Sequence, residues 1–337
     1  MKKILSILLV AAVVIFTGCK KSETPAGDNT TSTPAQKKLI IALLPKSKGN
    51  AYFISCSKGA GKAATELGDD LIFDGPTDTD PAKQNEIVEN WITLGVDVIA
   101  AACEDKGSIS TALRKAQAKG IKVITYDADA EPDARQFFVN QATPQGIGYG
   151  LMDEAARLCE SNGDFAIITA SLTAANQQEW QKYIEEDLAT NYPNMKLLAV
   201  QPCDDSKDKA QAETTALLSA NPSLKCILAI CTPGVPGAAE AVKQAGKTGA
   251  IKVLGLGLPN ENKIYVHDGV TQSVILWNTM DLGYLTVYAA DALARGTLKT
   301  GDTSFKVGDK TYEISGDNIM LGKPFVFNKD NIDQFDF

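Results

Sequence analysis

The residues best suited to bind a small molecule stand just after apolar runs. Lys46 follows one such run in LPKSKGN and is itself followed by the aromatic residues Tyr52 and Phe53. Asp127 follows another run, in KVITYDAD. A lysine ammonium donates to several oxygens and a carboxylate accepts two hydroxyl donors, so this pair favours a polyhydroxylated ligand. The alternatives are a solvated loop lysine and an aspartate that caps a turn.

Side-chain amides form a second group of candidates. Asn176 and Gln177 lie at the start of a helical stretch, and Trp277 and Asn278 end the run SVILWN. Amides both donate and accept, so they suit neutral hydroxyl and carbonyl groups. Helix capping is the alternative for Asn176, and a place in the core is the alternative for each aromatic residue.

These residues are embedded in a regular alternation of apolar runs and amphipathic stretches. The predicted strands are 39–45, 70–75, 97–103 and 122–129, then 164–170, 196–202, 226–232 and 251–257. The helical stretches between and after them are 52–68, 82–95, 108–120, 143–161, 175–192, 208–221, 237–247 and 280–296. Unbroken apolar strands between helices indicate parallel sheets that are covered on both faces.

The pattern restarts once, after an extended crossing at 136–140, and a second crossing follows at 273–278. We therefore predict an α/β fold of two doubly wound parallel-sheet lobes joined by a hinge. The predicted first lobe is 38–138 plus 279–310, and the predicted second lobe is 139–278 plus 311–337.

Two facing lobes of this kind would share one cleft, because ligands bind beyond the carboxyl ends of the strands in open α/β sheets. Residues at or just after predicted strand ends are Lys46, Asp74, Glu104, Asp127, Asp129, Ser171, Cys231, Thr232 and Pro259. For Asp129 a structural capping role is the preferred interpretation.

The N-terminus has the order of an export signal. Two lysines precede an apolar run at 4–16, which is too short for a permanent membrane span and typical of a signal peptide. The sequence Thr-Gly-Cys at 17–19 follows this run and resembles the lipobox of bacterial lipoproteins. The resemblance implies cleavage after residue 18 and a lipid on Cys19. A plain secretory signal is the alternative. Residues 19–37, rich in Thr, Pro and Ser, are predicted to form a disordered tether.

Composition excludes several function classes. The 337 residues carry a formal net charge of −8, which disfavours nucleic-acid binding because that needs clustered Lys and Arg. His267 is the single histidine, so a site with two histidine ligands is impossible. No serine-hydrolase, P-loop or H-E-x-x-H pattern occurs. We expect no enzyme activity, no metal and no cofactor.

The cysteines beyond Cys19 show no C-x-x-C spacing. Those inside apolar runs are predicted to be buried free thiols. Cys203, in a polar stretch, is predicted to be the most exposed.

Several segments together resemble the type I periplasmic-binding-protein-like solute receptors, and among them the autoinducer-2 receptors. They are LPKSKGNAYF, DGPT, TYDAD with NQATPQ, NQQEW, VYAADALARGTLKTGD and the terminal FNKDNIDQFDF. The resemblance covers about residues 39–337, and similar runs occur in rhamnose-type receptors. It implies ligand contacts at Lys46, Asp127, Asn176, Gln177, Ile230, Thr232, Trp277 and Asn278. Asn176 and Asn278 stand where the family has carboxylates.

The resemblance also implies partners and a location. The ligand would be a small neutral polyol, autoinducer-2, delivered to the permease of an ABC importer. The receptor would be a monomer anchored to the membrane through the Cys19 lipid, on the extracytoplasmic face. A receptor for rhamnose or a pentose is the alternative within the same class.

Overall fold

A computed structural model describes residues 37–337, and the predicted signal peptide and Cys19 lie outside the described residues. The strands are β1 (Ile40–Leu44), β2 (Asp70–Phe73), β3 (Val98–Ala101), β4 (Lys122–Tyr126), β5 (Phe137–Asn140), β6 (Gly163–Thr169), β7 (Met195–Pro202), β8 (Leu224–Ala229), β9 (Lys252–Leu256), β10 (Thr271–Leu276), β11 (Ser304–Val307), β12 (Lys310–Ser315), β13 (Asn318–Met320) and β14 (Phe325–Phe327). The α-helices are α1 (Ala51–Leu67), α2 (Pro81–Leu94), α3 (Lys106–Ala118), α4 (Pro144–Leu158), α5 (Ala175–Asn191), α6 (Lys207–Ala220), α7 (Gly234–Gln244), α8 (Pro259–His267) and α9 (Thr279–Arg295).

The strands form two separate sheets, one in each lobe. The first has the order β11-β12-β13-β5-β4-β3-β1-β2, and the second has the order β14-β10-β9-β8-β6-β7. Antiparallel pairing joins β11 to β12, β12 to β13 and β14 to β10, and the other strand pairs are parallel. The predicted α/β fold of two parallel-sheet lobes is confirmed.

Both faces of the first sheet are buried, which explains its unbroken apolar strands. In β1, Ile41 and Leu43 belong to the hydrophobic cluster that contains residues of α1 and α9. Their neighbours Ala42 and Leu44 point to the opposite face and belong to the cluster with α2 and α3. Successive side chains of a strand alternate between faces, so a strand covered on both sides needs apolar residues at every position.

The second sheet repeats this arrangement. Phe165 and Ile167 of β6 belong to the cluster that contains residues of α4 and α5. Ala166 and Ile168 pack on the other face, in the cluster with α6 and α7. Each sheet is therefore covered by helices on both faces.

The chain passes between the two sheets three times, after β5, after β10 and after β13. The two predicted crossings mostly consist of sheet strands, because 136–140 contains β5 and 273–278 contains the last four residues of β10. The third pass, between β13 and β14, has no counterpart in the sequence-based prediction.

The predicted lobe boundaries need correction at two places. The boundary after residue 138 cuts β5, which lies wholly in the first sheet. The assignment of 311–337 to the second lobe is incorrect for β12 and β13, because β13 pairs in parallel with β5 and β12 pairs with β13. Only β14, which pairs with β10, joins the second sheet from this region.

Helices α1 and α9 approach each other closely through two glycines. A Cβ atom on Gly59 would lie 1.8 Å from the Met280 carbonyl oxygen, and one on Gly283 would lie 1.9 Å from the Cys56 carbonyl oxygen. Only glycine permits this backbone contact, so the two positions set the spacing of the helices. Within residues 37–337, no helix has both the length and the apolar character needed to cross a bilayer.

The six cysteines of residues 37–337 are unbridged. Cys203 is fully buried, contrary to the prediction, because it packs with the apolar cluster between the second sheet and α6 and α7. Its sulfur lies 3.4 Å from that of Cys231.

Candidate functional site

A cavity lies beyond the carboxyl ends of the strands of both sheets. Its walls are formed by Lys46, Asn50, Tyr52, Phe53, Glu104, Asp127, Ala170, Asn176, Gln177, Trp180, Asp205, Ile230, Cys231, Thr232, Leu256, Leu276 and Trp277. Residues from both lobes contribute, so a molecule held here would contact both.

Lys46 is the cation of this cavity. It follows β1 closely and is 5% exposed. Its Nζ donates to Asn176 Oδ1 of the second lobe at 2.8 Å and lies 3.7 Å from Asp127 Oδ2. The ammonium is therefore shared between a carboxylate of its own lobe and an amide of the other.

Asp127 occupies a backbone conformation that is unusual for an L residue. Its φ is 60°, and the amide of Ala128 donates to the carbonyl oxygen of Tyr126 at 2.6 Å, which closes a three-residue turn around it. Residues held in such conformations concentrate at ligand sites, where the surrounding structure supports the strain. The turn places the Asp127 side chain in the cavity instead of on the sheet face.

The carboxylate of Asp127 is buried near one cation, Lys46, and one acid, Glu104. Burial raises its pKa, and the nearby charge of Glu104 acts in the same direction. The Lys46 charge and a hydrogen bond from Tyr52 oppose this effect. Hydroxyl donors on a ligand would further stabilise the ionised form of Asp127.

Four aromatic side chains form one wall of the cavity. Trp277 stands edge-on to both Tyr52 and Trp180, with ring centroids 6.2 Å and 6.0 Å apart. The Trp277 Nε1 donates to the Tyr52 hydroxyl at 2.8 Å, and Phe53 packs edge-on to Tyr52. The wall is apolar apart from groups that already have partners, as is common in small-molecule sites.

The second lobe contributes amides from the first turn of α5. Asn176 is not the N-cap of this helix, which is Ala174, and its Oδ1 accepts from Lys46 at 2.8 Å and from the first-turn amide of Gln177 at 3.0 Å. Gln177 Oε1 accepts from the Thr169 hydroxyl at 2.6 Å and from the Ala170 amide at 2.8 Å. These bonds orient the Gln177 amide at the end of β6.

Further hydrogen bonds join the lobes across the cavity. Asn50, the N-cap of α1, donates through Nδ2 to Asp205 Oδ2 and accepts from the Thr232 hydroxyl at 3.3 Å. Ser171 of the second lobe donates to Glu104 Oε1 at 2.8 Å. Burial raises the pKa of Asp205 to about 6, although the hydrogen bond from Asn50 and the charge of Lys46 favour its ionised form.

The structure brings most of the predicted site residues together. Those that line the cavity are Lys46, Tyr52, Phe53, Asp127, Asn176, Gln177, Ile230, Thr232 and Trp277. Asn278 does not line it. Its side chain accepts from the Asp281 amide at 3.0 Å and caps α9, so its predicted ligand contact is replaced by a structural role.

Eight cavity residues were absent from the predicted site: Asn50, Glu104, Ala170, Trp180, Asp205, Cys231, Leu256 and Leu276. Glu104 was recognisable as a strand-end acid, and Trp180 lies one helical turn after Asn176. Asp205 lies three residues beyond the end of β7 in a left-handed conformation, with a φ of 53°. A search limited to the first residues after each predicted strand therefore does not select Asp205.

The polar groups of the cavity are donors and acceptors of hydrogen bonds. Within residues 37–337, no three His, Cys, Asp or Glu residues are grouped to hold a metal ion. The chemistry available is recognition of a small hydroxylated molecule by both lobes.

Comparison with known proteins agrees with this geometry. The model of a periplasmic binding protein domain matches residues 41–298. The D-ribose/D-allose-binding protein of Pseudomonas aeruginosa is 31% identical over 277 residues, which are 80% of this chain and 85% of that protein.

Two solved structures share the fold closely. An ABC transporter solute-binding protein of Clostridium phytofermentas with bound L-rhamnose is 32% identical, with a TM-score of 0.85 over 88% of this chain and 98% of the other. LsrB from Clostridium saccharobutylicum in complex with AI-2 is 25% identical, with a TM-score of 0.85 over 89% of this chain and all of the other.

The relatives are named as binding proteins and not as enzymes, and their names and bound molecules include ribose, rhamnose and autoinducer-2. The matched domain model spans most of the chain and includes Lys46, Asp127 and the two amides of α5, Asn176 and Gln177. The chain therefore belongs to the periplasmic binding protein family, among the sugar-binding, extracytoplasmic proteins that serve ABC transporters.

Proposed function

We propose that this protein is a lipid-anchored extracytoplasmic receptor that binds autoinducer-2 and delivers it to an ABC importer. The observation that carries the proposal is the meeting of Lys46 and Asp127 from one lobe with Asn176 and Gln177 from the other at a single cavity. A ligand that bridges these groups favours the closed arrangement of the lobes by its differential affinity for it.

The cavity is matched to a small polyol that also has an apolar part. Asp127 and Lys46, together with the amides of Asn176 and Gln177, supply acceptors and donors for hydroxyl groups. Phe53, Leu256 and Leu276 add apolar surface, which suits a methyl group. Autoinducer-2 carries both features, and the AI-2-bound LsrB structure with the same fold supports this choice.

L-rhamnose is the second candidate, because it also carries a methyl group and is bound in the 32% identical structure. D-ribose, which lacks a methyl group, is the ligand class named for the ribose-binding relatives.

Titration calorimetry on purified protein, freed of carried-over ligand by unfolding and refolding, tests the proposal. Autoinducer-2, L-rhamnose and D-ribose are supplied separately, and autoinducer-2 should bind most tightly. Asp127→Asn is the control for site occupancy, because it keeps the shape of the side chain and removes its charge. Binding of a sugar without binding of autoinducer-2 would replace the proposed ligand by that sugar.

A further inference from the structure

Glu104 is the most deeply buried acid of the cavity. It lies three residues after β3 and is 1% exposed. Its backbone amide donates to Gln84 Oε1 at 3.0 Å, and Gln84 is itself fully buried, so this part of the loop is held firmly. The side chain therefore reaches the cavity from a rigid support.

The two oxygens of the Glu104 carboxylate differ in their partners. Oε1 accepts from the Ser171 hydroxyl of the second lobe at 2.8 Å. Oε2 is buried and has no hydrogen-bond partner among the described residues. A buried carboxylate oxygen without a donor is costly, and the hydrogen bonds of charged groups are the stronger ones.

Within residues 37–337, the charged groups around Glu104 do not supply a hydrogen-bond donor for Oε2. The charge of Glu104 contributes to the raised pKa of both Asp127 and Asp205. The single cavity ammonium, on Lys46, already serves Asp127 and Asn176. Glu104 thus has no cation of its own in the cavity.

We propose that Glu104 is a specificity-determining residue, whose Oε2 accepts a hydrogen bond from a hydroxyl group of the ligand. This inference rests on the proposed function and deepens it, because it requires a ligand with a hydroxyl donor that faces Glu104 Oε2. The Glu104 carboxylate would then bind two groups, because Oε1 accepts from Ser171 of the other lobe and Oε2 accepts from the ligand hydroxyl. Closure of the lobes then leaves Oε2 unsatisfied unless such a ligand is bound.

Calorimetry with autoinducer-2, L-rhamnose and D-ribose compares wild type, Glu104→Gln and Glu89→Gln. Glu104→Gln should weaken binding of the probe that wild type binds by about 10- to 100-fold, because a charged acceptor is replaced by an amide. Glu89→Gln, the matched control, neutralises a partly exposed glutamate of α2 that pairs with Lys115 and does not line the cavity, so its affinity should stay within about twofold of wild type. Equal affinity of wild type and Glu104→Gln overturns the inference.

A second measurement does not depend on the ligand. In small-angle scattering of ligand-free protein, Glu104→Gln should show a smaller radius of gyration than wild type, because a neutral amide costs less to bury than a carboxylate. If wild type binds none of the three probes, the proposed ligand class is wrong, and scattering alone decides the role of Glu104. Identical radii in that case reject it.

Discussion

At the scale of single residues, the cavity holds three carboxylates, from Asp127, Glu104 and Asp205, and one ammonium, from Lys46. Burial raises the pKa of Asp127 and Asp205, which means that their ionised forms are destabilised in the cavity. Hydroxyl donors of a ligand would stabilise these ionised forms. This balance favours a neutral ligand rich in donors over an anionic one, because an anion would add to the excess negative charge.

The first prediction concerns Asp127. Asp127→Ala should weaken ligand binding by about 30- to 1000-fold, or about 2–4 kcal/mol, because ligand hydroxyls and Lys46 lose their buried partner. Calorimetry measures the loss, and circular dichroism confirms that the variant is folded. An unchanged affinity in a folded variant would remove Asp127 from the binding site.

The second prediction concerns the pH dependence of stability at Asp205. Its pKa in the folded protein is about 6, raised by burial, whereas an unfolded aspartate has a pKa of about 4. The folded state therefore holds this proton more tightly. The resulting contribution to stability is complete below about pH 4 and is lost as the pH rises to about 6.

Asp205→Asn removes this titration. The unfolding free energy of the variant minus that of wild type should increase by about 1–3 kcal/mol between pH 4 and pH 7. Urea denaturation at a series of pH values measures the difference, in which titrating groups that do not interact with Asp205 cancel. A difference that is flat or that falls with pH would contradict the raised pKa.

At the scale of elements, the long helices are held by close backbone contact as well as by side-chain packing. Gly59→Ala should lower the unfolding free energy by at least about 2 kcal/mol, because its Cβ would meet the Met280 carbonyl oxygen. Gly61→Ala lies in the same helix, and its Cβ meets no atom within 4 Å. That control should stabilise the protein by about 0.5–1 kcal/mol, as expected for alanine in place of glycine in a helix. Similar stabilities of the two variants in urea denaturation would refute the close contact of α1 and α9.

At the scale of the whole molecule, the cavity residues join two lobes that are connected by three chain segments. The bonds from Lys46 to Asn176, from Asn50 to Asp205 and from Ser171 to Glu104 all cross the cleft. We expect bound ligand to reduce the radius of gyration measured by small-angle scattering, because it adds bonds that only the closed arrangement completes. Asp127→Ala should show no reduction at the same ligand concentration. A ligand-bound wild type of unchanged radius would argue against closure.

The proposed attachment to the membrane is also tested at the scale of the whole molecule. Cys19→Ala should move the protein from the membrane fraction to the soluble fraction, because the predicted lipid on the Cys19 thiol would be lost. Fractionation followed by immunoblotting measures this, and Cys159→Ala is a control that keeps Cys19. Retention of Cys19→Ala in the membrane would indicate an uncleaved anchor.

Much of this architecture could be predicted from the sequence, because it depends on local patterns. Continuous apolar strands between amphipathic helices identify parallel sheets covered on both faces, and strand ends mark the cleft. Lys46 and Asp127 follow such ends directly, and both line the cavity. The repeated α/β pattern likewise indicated two lobes.

Only the tertiary structure decided the features that depend on distant parts of the chain. The placement of β13 beside β5 arises from a contact between distant residues, and Asp205 reaches the cavity from a left-handed backbone conformation after β7. Asp127 and Asn176 are far apart in sequence, and packing of the two lobes brings both to Lys46. Sequence periodicity determines which face of a helix or strand is buried. It does not determine which residues of the other lobe that helix or strand contacts across the cleft.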